Sequence, residues 1–132
     1  MDHPDWSHTA EFAAQPRSSS SAREFDTRHL LDHDLGHLVE DVRLVVSELA
    51  TNAMTHAQTS FLVTLLAEAG SVRVEVRDGS HSRPVLVAAL ALDPGGRGVA
   101  IVKAVSRDWG VTARASGGKS VWAEFASHPD AA

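Results

Sequence analysis

The chain has 132 residues, a formal net charge of -5, 22 % charged residues and no cysteine. That length suits one domain with a core needing no disulfide or thiolate-metal staple, and cysteine-free chemistry suits a reducing compartment. The acidic balance, with a pI near 5.8, argues against gripping a nucleic-acid backbone as the main task.

Residues 1–8 are polar and read as a loose tail, and residues 9–15 as a short edge strand stopped by Pro16. The N-terminus has no basic stretch leading into an apolar run. No apolar segment approaches the roughly 18 residues of a membrane span. The expected location is therefore the cytoplasm, with no membrane and no direct nucleic-acid partner.

The serine run at 18–21 offers an N-cap, and Phe25, Leu30 and Leu31 an apolar side, which predicts a first helix over about residues 20–33. Gly36 then punctuates the chain, and Glu40 and Asp41 favour a helix N-terminus nearby. Apolar residues at Leu38, Val42, Val45, Val46, Leu49 and Ala53 keep the spacing of a buried stripe, predicting a second helix from about Leu38 to Ala57.

Residues 60–68 read as a buried strand, and Val72, Val74 and Val76 alternating with Arg73, Glu75 and Arg77 as a strand with one wet face, paired with it as an antiparallel hairpin. Residues 85–92 leave strand, helical turn and packed loop all open. The glycine-rich stretch Asp93-Pro94-Gly95-Gly96-Arg97-Gly98 leads into a helix over about 98–106. Residues 109–115 and 120–126 form a second hairpin, and the end from 127 to 132 is loose. This order predicts an α/β fold, a two-layer sandwich with a mixed, mostly antiparallel sheet and its helices on one face, in one domain over 1–132.

Three polar residues interrupt the stripe of the second helix. Glu48, Asn52 and His56 recur at intervals of four and so share one side of it. Buried polar groups cost free energy unless paired, so this face suits a polar cavity. A magnesium ion takes oxygen ligands and keeps several waters, so the Asn52 side-chain oxygen is a candidate metal ligand. Glu48, one turn earlier, is placed to orient a hydroxyl or water for attack on a phosphoryl group. An amphipathic helix whose polar residues lie at the edge of the stripe is the alternative.

The glycine stretch lets backbone amides approach an anion at a helix start; as a plain turn it needs no ligand. It lacks the Gly-Lys-Ser/Thr ending of a Walker loop. Asp78, at a strand end, can accept a hydrogen bond from an exocyclic amine, or serve only as an Asx-turn residue. His29, His33 and His37 are either a metal site or solvated surface groups. Trp109 and Trp122 read as core or cross-strand residues, with a base-stacking platform the alternative, and Lys103 and Lys119 as surface charges, with approach to phosphates the alternative.

In chain order these pieces, with Val45-Val-Ser-Glu-Leu-Ala-Thr-Asn-Ala and Gly95-Gly-Arg-Gly-Val-Ala-Ile-Val the most specific, resemble the GHKL (Bergerat-fold) ATPase superfamily. Within it they are most similar to the anti-sigma factor serine kinases, over roughly residues 9–126. The resemblance implies ATP and Mg²⁺ as cofactors and Glu48 as the residue activating the attacking hydroxyl. Asn52 would hold the metal, His56 would lie near the phosphates, and Asp78 with Gly79 would stand at the adenine. Gly96 and Gly98 would line the triphosphate, Arg97 would neutralise charge on the γ-phosphate, and Ser120 would stand near the base.

As partners the resemblance implies a sigma factor, an anti-anti-sigma (STAS-type) protein, or both, and it leaves a homodimer open. The expected function is an ATP-binding regulatory protein that phosphorylates a serine or threonine of its antagonist. Asp78-Gly79-Ser80-His81-Ser82 departs from the family's Asp-x-Gly-x-Gly box by lacking glycine at both family positions. That departure keeps a second reading open, a partner-binding module of the same fold with weak nucleotide affinity and no turnover. Histidine-kinase catalysis would need a separate chain to supply the phosphoacceptor.

Overall fold

The computed structural model describes residues 5–54, 59–79, 97–113 and 118–128, the side chains of 97–100 and 113 excepted. Strand β1 (Trp6–Phe12) leads into helix α1 (Arg17–Asp32), a 3-10 turn (Gly36–Leu38) and helix α2 (Val39–Asn52). Strands β2 (Phe61–Glu68) and β3 (Ser71–Asp78) follow, then helix α3 (Arg97–Val105) and strands β4 (Asp108–Ala113) and β5 (Lys119–Ala126). The five strands make one sheet in the order β1-β2-β3-β5-β4, and every described pairing is antiparallel.

The valines of β3 decide which face is inside. Val72, Val74 and Val76 are buried while Arg73, Glu75 and Arg77 lie on the opposite side, as the period of two requires. In β2, Phe61, Val63, Leu65 and Ala67 join that inner face. Against it α2 lays Val42, Val45, Val46 and Leu49, none more than 2 % exposed. Each such side chain contributes about 1.5–3 kcal/mol on leaving water. Helix α2 also packs on α1 and α3, and two bonds stitch it to α1: Arg23 donates to Ser47 Oγ at 3.1 Å and Arg43 to Thr27 Oγ1 at 3.3 Å. Ala69 and Gly70, both at positive φ (51° and 81°), close the β2–β3 hairpin, the backbone twist that a two-residue turn between right-twisted strands needs.

The layered α/β architecture and both hairpins agree with the sequence reading. Some of its boundaries move. Strand β1 spans Trp6–Phe12 instead of 9–15, so residues 5–8 are no tail; Asp5 N–H donates to Ala67 O at 2.7 Å, and Trp6 stands opposite Ala67. Helix α1 starts at Arg17, because Pro16 already has helical angles (φ -54°, ψ -38°), and the serine run lies inside the helix instead of capping it. Its buried side is Ser18, Ala22, Asp26 and Leu30, while Leu31 is 57 % exposed. Helix α2 runs as α-helix to Asn52 and passes into a π-type turn at 53–54, and the expected end at Ala57 lies outside the described residues. Residues 85–92 and 129–132 lie outside the described residues, whereas Ser127 and His128 are described: Ser127 N–H donates to Gly70 O at 2.9 Å and His37 Nε2 to Ser127 O at 2.6 Å.

Candidate nucleotide site

The C-terminal half of α2 carries Glu48, half-buried, and Asn52, only 8 % exposed, one turn apart. Their side of the helix is committed to the interior because Val45, Val46, Leu49 and Ala50 flank them and are all buried. His56, the third member of the ladder, lies outside the described residues, as does Gly96. Arg97 and Gly98 occupy the first two positions of α3, where backbone N–H groups have no partner within the helix. The side chain of Arg97 is outside the described residues.

Asp78 closes β3. Strand alternation puts it on the same face as Val72, Val74 and Val76, the face that meets the helices, and its exposure is 4 %. Directly across the ladder stands Lys119, the first residue of β5, 2 % exposed. Its Nζ lies 3.8 Å from Asp78 Oδ1. The lysine is therefore not the surface charge its sequence context suggests. It precedes Val121, Ala123 and Phe125 at intervals of two, all buried, so the period of the strand already pointed it inward.

The chain just before Lys119 is tailored to this contact. A Cβ on Gly118 would fall 2.4 Å from Asp78 O, and Gly118 has φ +89°, so only glycine lets the two strand ends close up. Beside them Gly79 N–H donates to Thr59 Oγ1 at 3.3 Å. Ser120 is treated differently. It pairs with Arg77 and Thr112, so the pleat turns its side chain to the face opposite Asp78 and Lys119. There it is 1 % exposed, its Oγ without a hydrogen-bond partner among the described residues. The geometry thus sets Asp78, Gly79 and Lys119 together and separates Ser120 from them.

A buried amide oxygen at Asn52 and a buried carboxylate at Asp78 are hard oxygen donors and acceptors, the kind of group a magnesium ion and a base amine accept. Among the described residues no cluster of three or more His, Cys, Asp or Glu is set to hold a metal by itself. That includes His29, His33 and His37, since His37 is bonded to Ser127 O and the other two stack with neighbouring rings. The second unexpected polar group is Asp26 on α1, 0 % exposed, both carboxyl oxygens unpartnered among the described residues, its pKa pushed up to about 8 by burial. Its signal in the sequence was the spacing of four through Ser18, Ala22, Asp26 and Leu30.

The chain is thus an α/β sandwich with a polar helix face, a carboxylate ending the neighbouring strand and a helix that opens Arg-Gly. Residues 12–125 match the model of the histidine kinase-like ATPase domain, and the chain belongs to that family. The crystal structure of the RsbU and RsbW domains of Rv1364c from Mycobacterium tuberculosis shares the fold. The match has a TM-score of 0.69 at 20 % sequence identity and covers 93 % of this chain. This chain corresponds to 33 % of that longer one. No curated protein matches the sequence. Among the described residues no helix is long and apolar enough to cross a membrane.

Proposed function

We propose that this chain is an ATP-binding regulatory protein acting in the cytoplasm as an anti-sigma factor protein serine/threonine kinase. Its substrate would be an anti-anti-sigma (STAS-type) antagonist and its second partner a sigma factor. The observation that carries the reading is the burial of Asn52, with half-buried Glu48 one turn before it, beside the buried stripe of α2, in a chain that matches the ATPase family over 12–125. An amide is kept inside at a cost in free energy, which favours a site over a packing accident.

In this reading Glu48 accepts the proton of the substrate hydroxyl as its oxygen bonds to the γ-phosphorus, while the bond from that phosphorus to the bridging oxygen of ADP breaks. Asn52 would hold Mg²⁺, which supplies charge neutralisation on the phosphates. Arg97, with the first amides of α3 around Gly98 and the neighbouring Gly96, would stabilise the transferring group. Asp78 and Gly79 would receive the base, and His56 would add positive charge near the phosphates.

The test is transfer of label from γ-labelled ATP to a candidate antagonist. Glu48→Ala is expected to cut the rate by about 10²–10⁴-fold, the range of a lost general base. A rate unchanged by that substitution would remove Glu48 from the chemistry. The second reading, a partner-binding module without turnover, draws on the departure of residues 78–82 from the family's glycine pattern. Calorimetric titration separates the two, since a chain with no affinity for Mg·ATP is no kinase.

A further inference from the structure

We infer that Gly118 is a positioning residue for the base end of the site, and that filling the space beside it uncouples the hold on the base from the hold on the phosphates. The inference rests on the nucleotide reading above and adds a residue from outside the assigned set. Gly118 is buried, just ahead of β5, with φ +89°. A Cβ built there meets Asp78 O at 2.4 Å, and the next nearest atoms, Asp78 C and Gly79 Cα, lie at 3.4 Å. All three belong to Asp78 and Gly79, the pair that would receive the base. Real Cβ contacts essentially never fall under 3.0 Å, so something must shift.

The backbone on both sides leaves little slack. Asp78 is paired with Phe61 across one ladder and with Lys119 across the other, which holds the end of β3 against the start of β5. A side chain at 118 therefore pushes the Asp78–Gly79 peptide off its place or lifts the start of β5 away from it. Gly79 is the softer end, since its N–H is held by a side chain, Thr59 Oγ1, at 3.3 Å. Either movement reshapes the wall made by Asp78, Gly79 and Lys119, and a misplacement of about 1 Å is enough to lose a hydrogen bond that fixes a ligand. The phosphate end is built on other elements, Asn52 on α2 and Arg97 with Gly98 on α3. None of the three atoms nearest the 118 site belongs to them.

Gly70 supplies the control. Its φ of +81° is close to that of Gly118, but nothing lies within 4 Å of a Cβ placed there, so Gly70→Ala carries the backbone strain without the contact. The experiment titrates the full chain with Mg·ATP and, separately, with Mg·tripolyphosphate, which keeps the phosphates and has no base, for wild type, Gly118→Ala, Gly118→Asn and Gly70→Ala. Gly118→Ala is expected to bind ATP about 10–100-fold more weakly, the cost of a lost hydrogen bond or two, and tripolyphosphate within about twofold of wild type. Gly70→Ala is expected to keep both affinities. Asparagine accepts positive φ more readily than alanine, so Gly118→Asn carries the test if the alanine chain does not fold. Equal weakening of both ligands, an unchanged affinity for ATP, or the same loss in Gly70→Ala overturns the inference and leaves the nucleotide reading standing. So does wild type that binds ATP but not tripolyphosphate, and so does failure of both Gly118 variants to fold. Wild type that does not bind ATP overturns both.

Discussion

Asp26 sits on the buried stripe of α1 with both oxygens unpartnered among the described residues, and burial has lifted its pKa from 3.8 to about 8. The folded chain therefore holds a proton that the unfolded chain releases above about pH 4. Stability contributed by the neutral form is complete below the unfolded value and is lost as pH rises toward the folded one. At pH 7 the loss is about 4 kcal/mol by linkage, a large share of the stability of a domain this size. Asp26→Val is expected to raise stability by about 2–4 kcal/mol at pH 7 and by clearly less at pH 4.5. Urea denaturation at the two pH values checks it; an equal loss at both would mean the carboxyl has a partner that it needs.

Asp26 also shows where residue-level reading stops. In the sequence it is one polar letter between Phe25 and Thr27, and the apolar side was drawn through Phe25, Leu30 and Leu31. The packed helix turns Leu31 out and Asp26 in, because α1 must face α2 and the sheet together. Lys119 was legible in part, from its alternation with Val121 and Ala123. Its partner was not, since nothing local aligns the end of β3 with the start of β5.

At the scale of elements, β1 is an edge strand fastened to α1 by rings. The His33 ring lies on Trp6 at 3.9 Å and 3°, the His29 ring on His8 at 3.8 Å, and Nε2 of His8 meets Nε2 of His33 at 3.0 Å. That last bond needs one nitrogen to donate and the other to accept. The pKa of His29 is held down, first by burial and then by the positive charge of His8 and Arg28, with Asp32 opposing. A base with a depressed folded pKa contributes stability above its unfolded value, near 6.5, and loses it as pH falls through that value. This opposes the trend set by Asp26, so the Asp26→Val background isolates it. In that background, lowering the pH from about 7 to 5 is expected to lower the melting temperature and to shift Trp6 emission, and His29→Gln to flatten the slope. A slope that survives this substitution would place the titrating group elsewhere.

At the scale of the whole molecule, the described residues bury a continuous core where α2 meets β2 and β3. Val63, Leu65, Val72 and Val74 are 0 % exposed, and β1 and β4 end the sheet. Amide exchange is expected to be slowest in β3, which is paired on both sides, and faster along the outer edges of β1 and β4. Hydrogen exchange followed by mass spectrometry tests this. Edge strands as protected as β3 would mean that something covers them, a second copy of the chain included.

What the sequence determined without help is what depends on near neighbours: the valine alternation of β3, the stripe of α2, the Ala69-Gly70 turn, and the acid and amide one turn apart on a buried face. Periodicity and turn chemistry act over a few residues, so they are written locally. Only the tertiary structure decided the register that turns Ser120 away from Asp78 and brings Lys119 to it, the shift of β1 to Trp6–Phe12, and the burial of Asp26. Each of these follows from aligning segments far apart in the chain, where burial of the whole core outweighs the preference of any single residue.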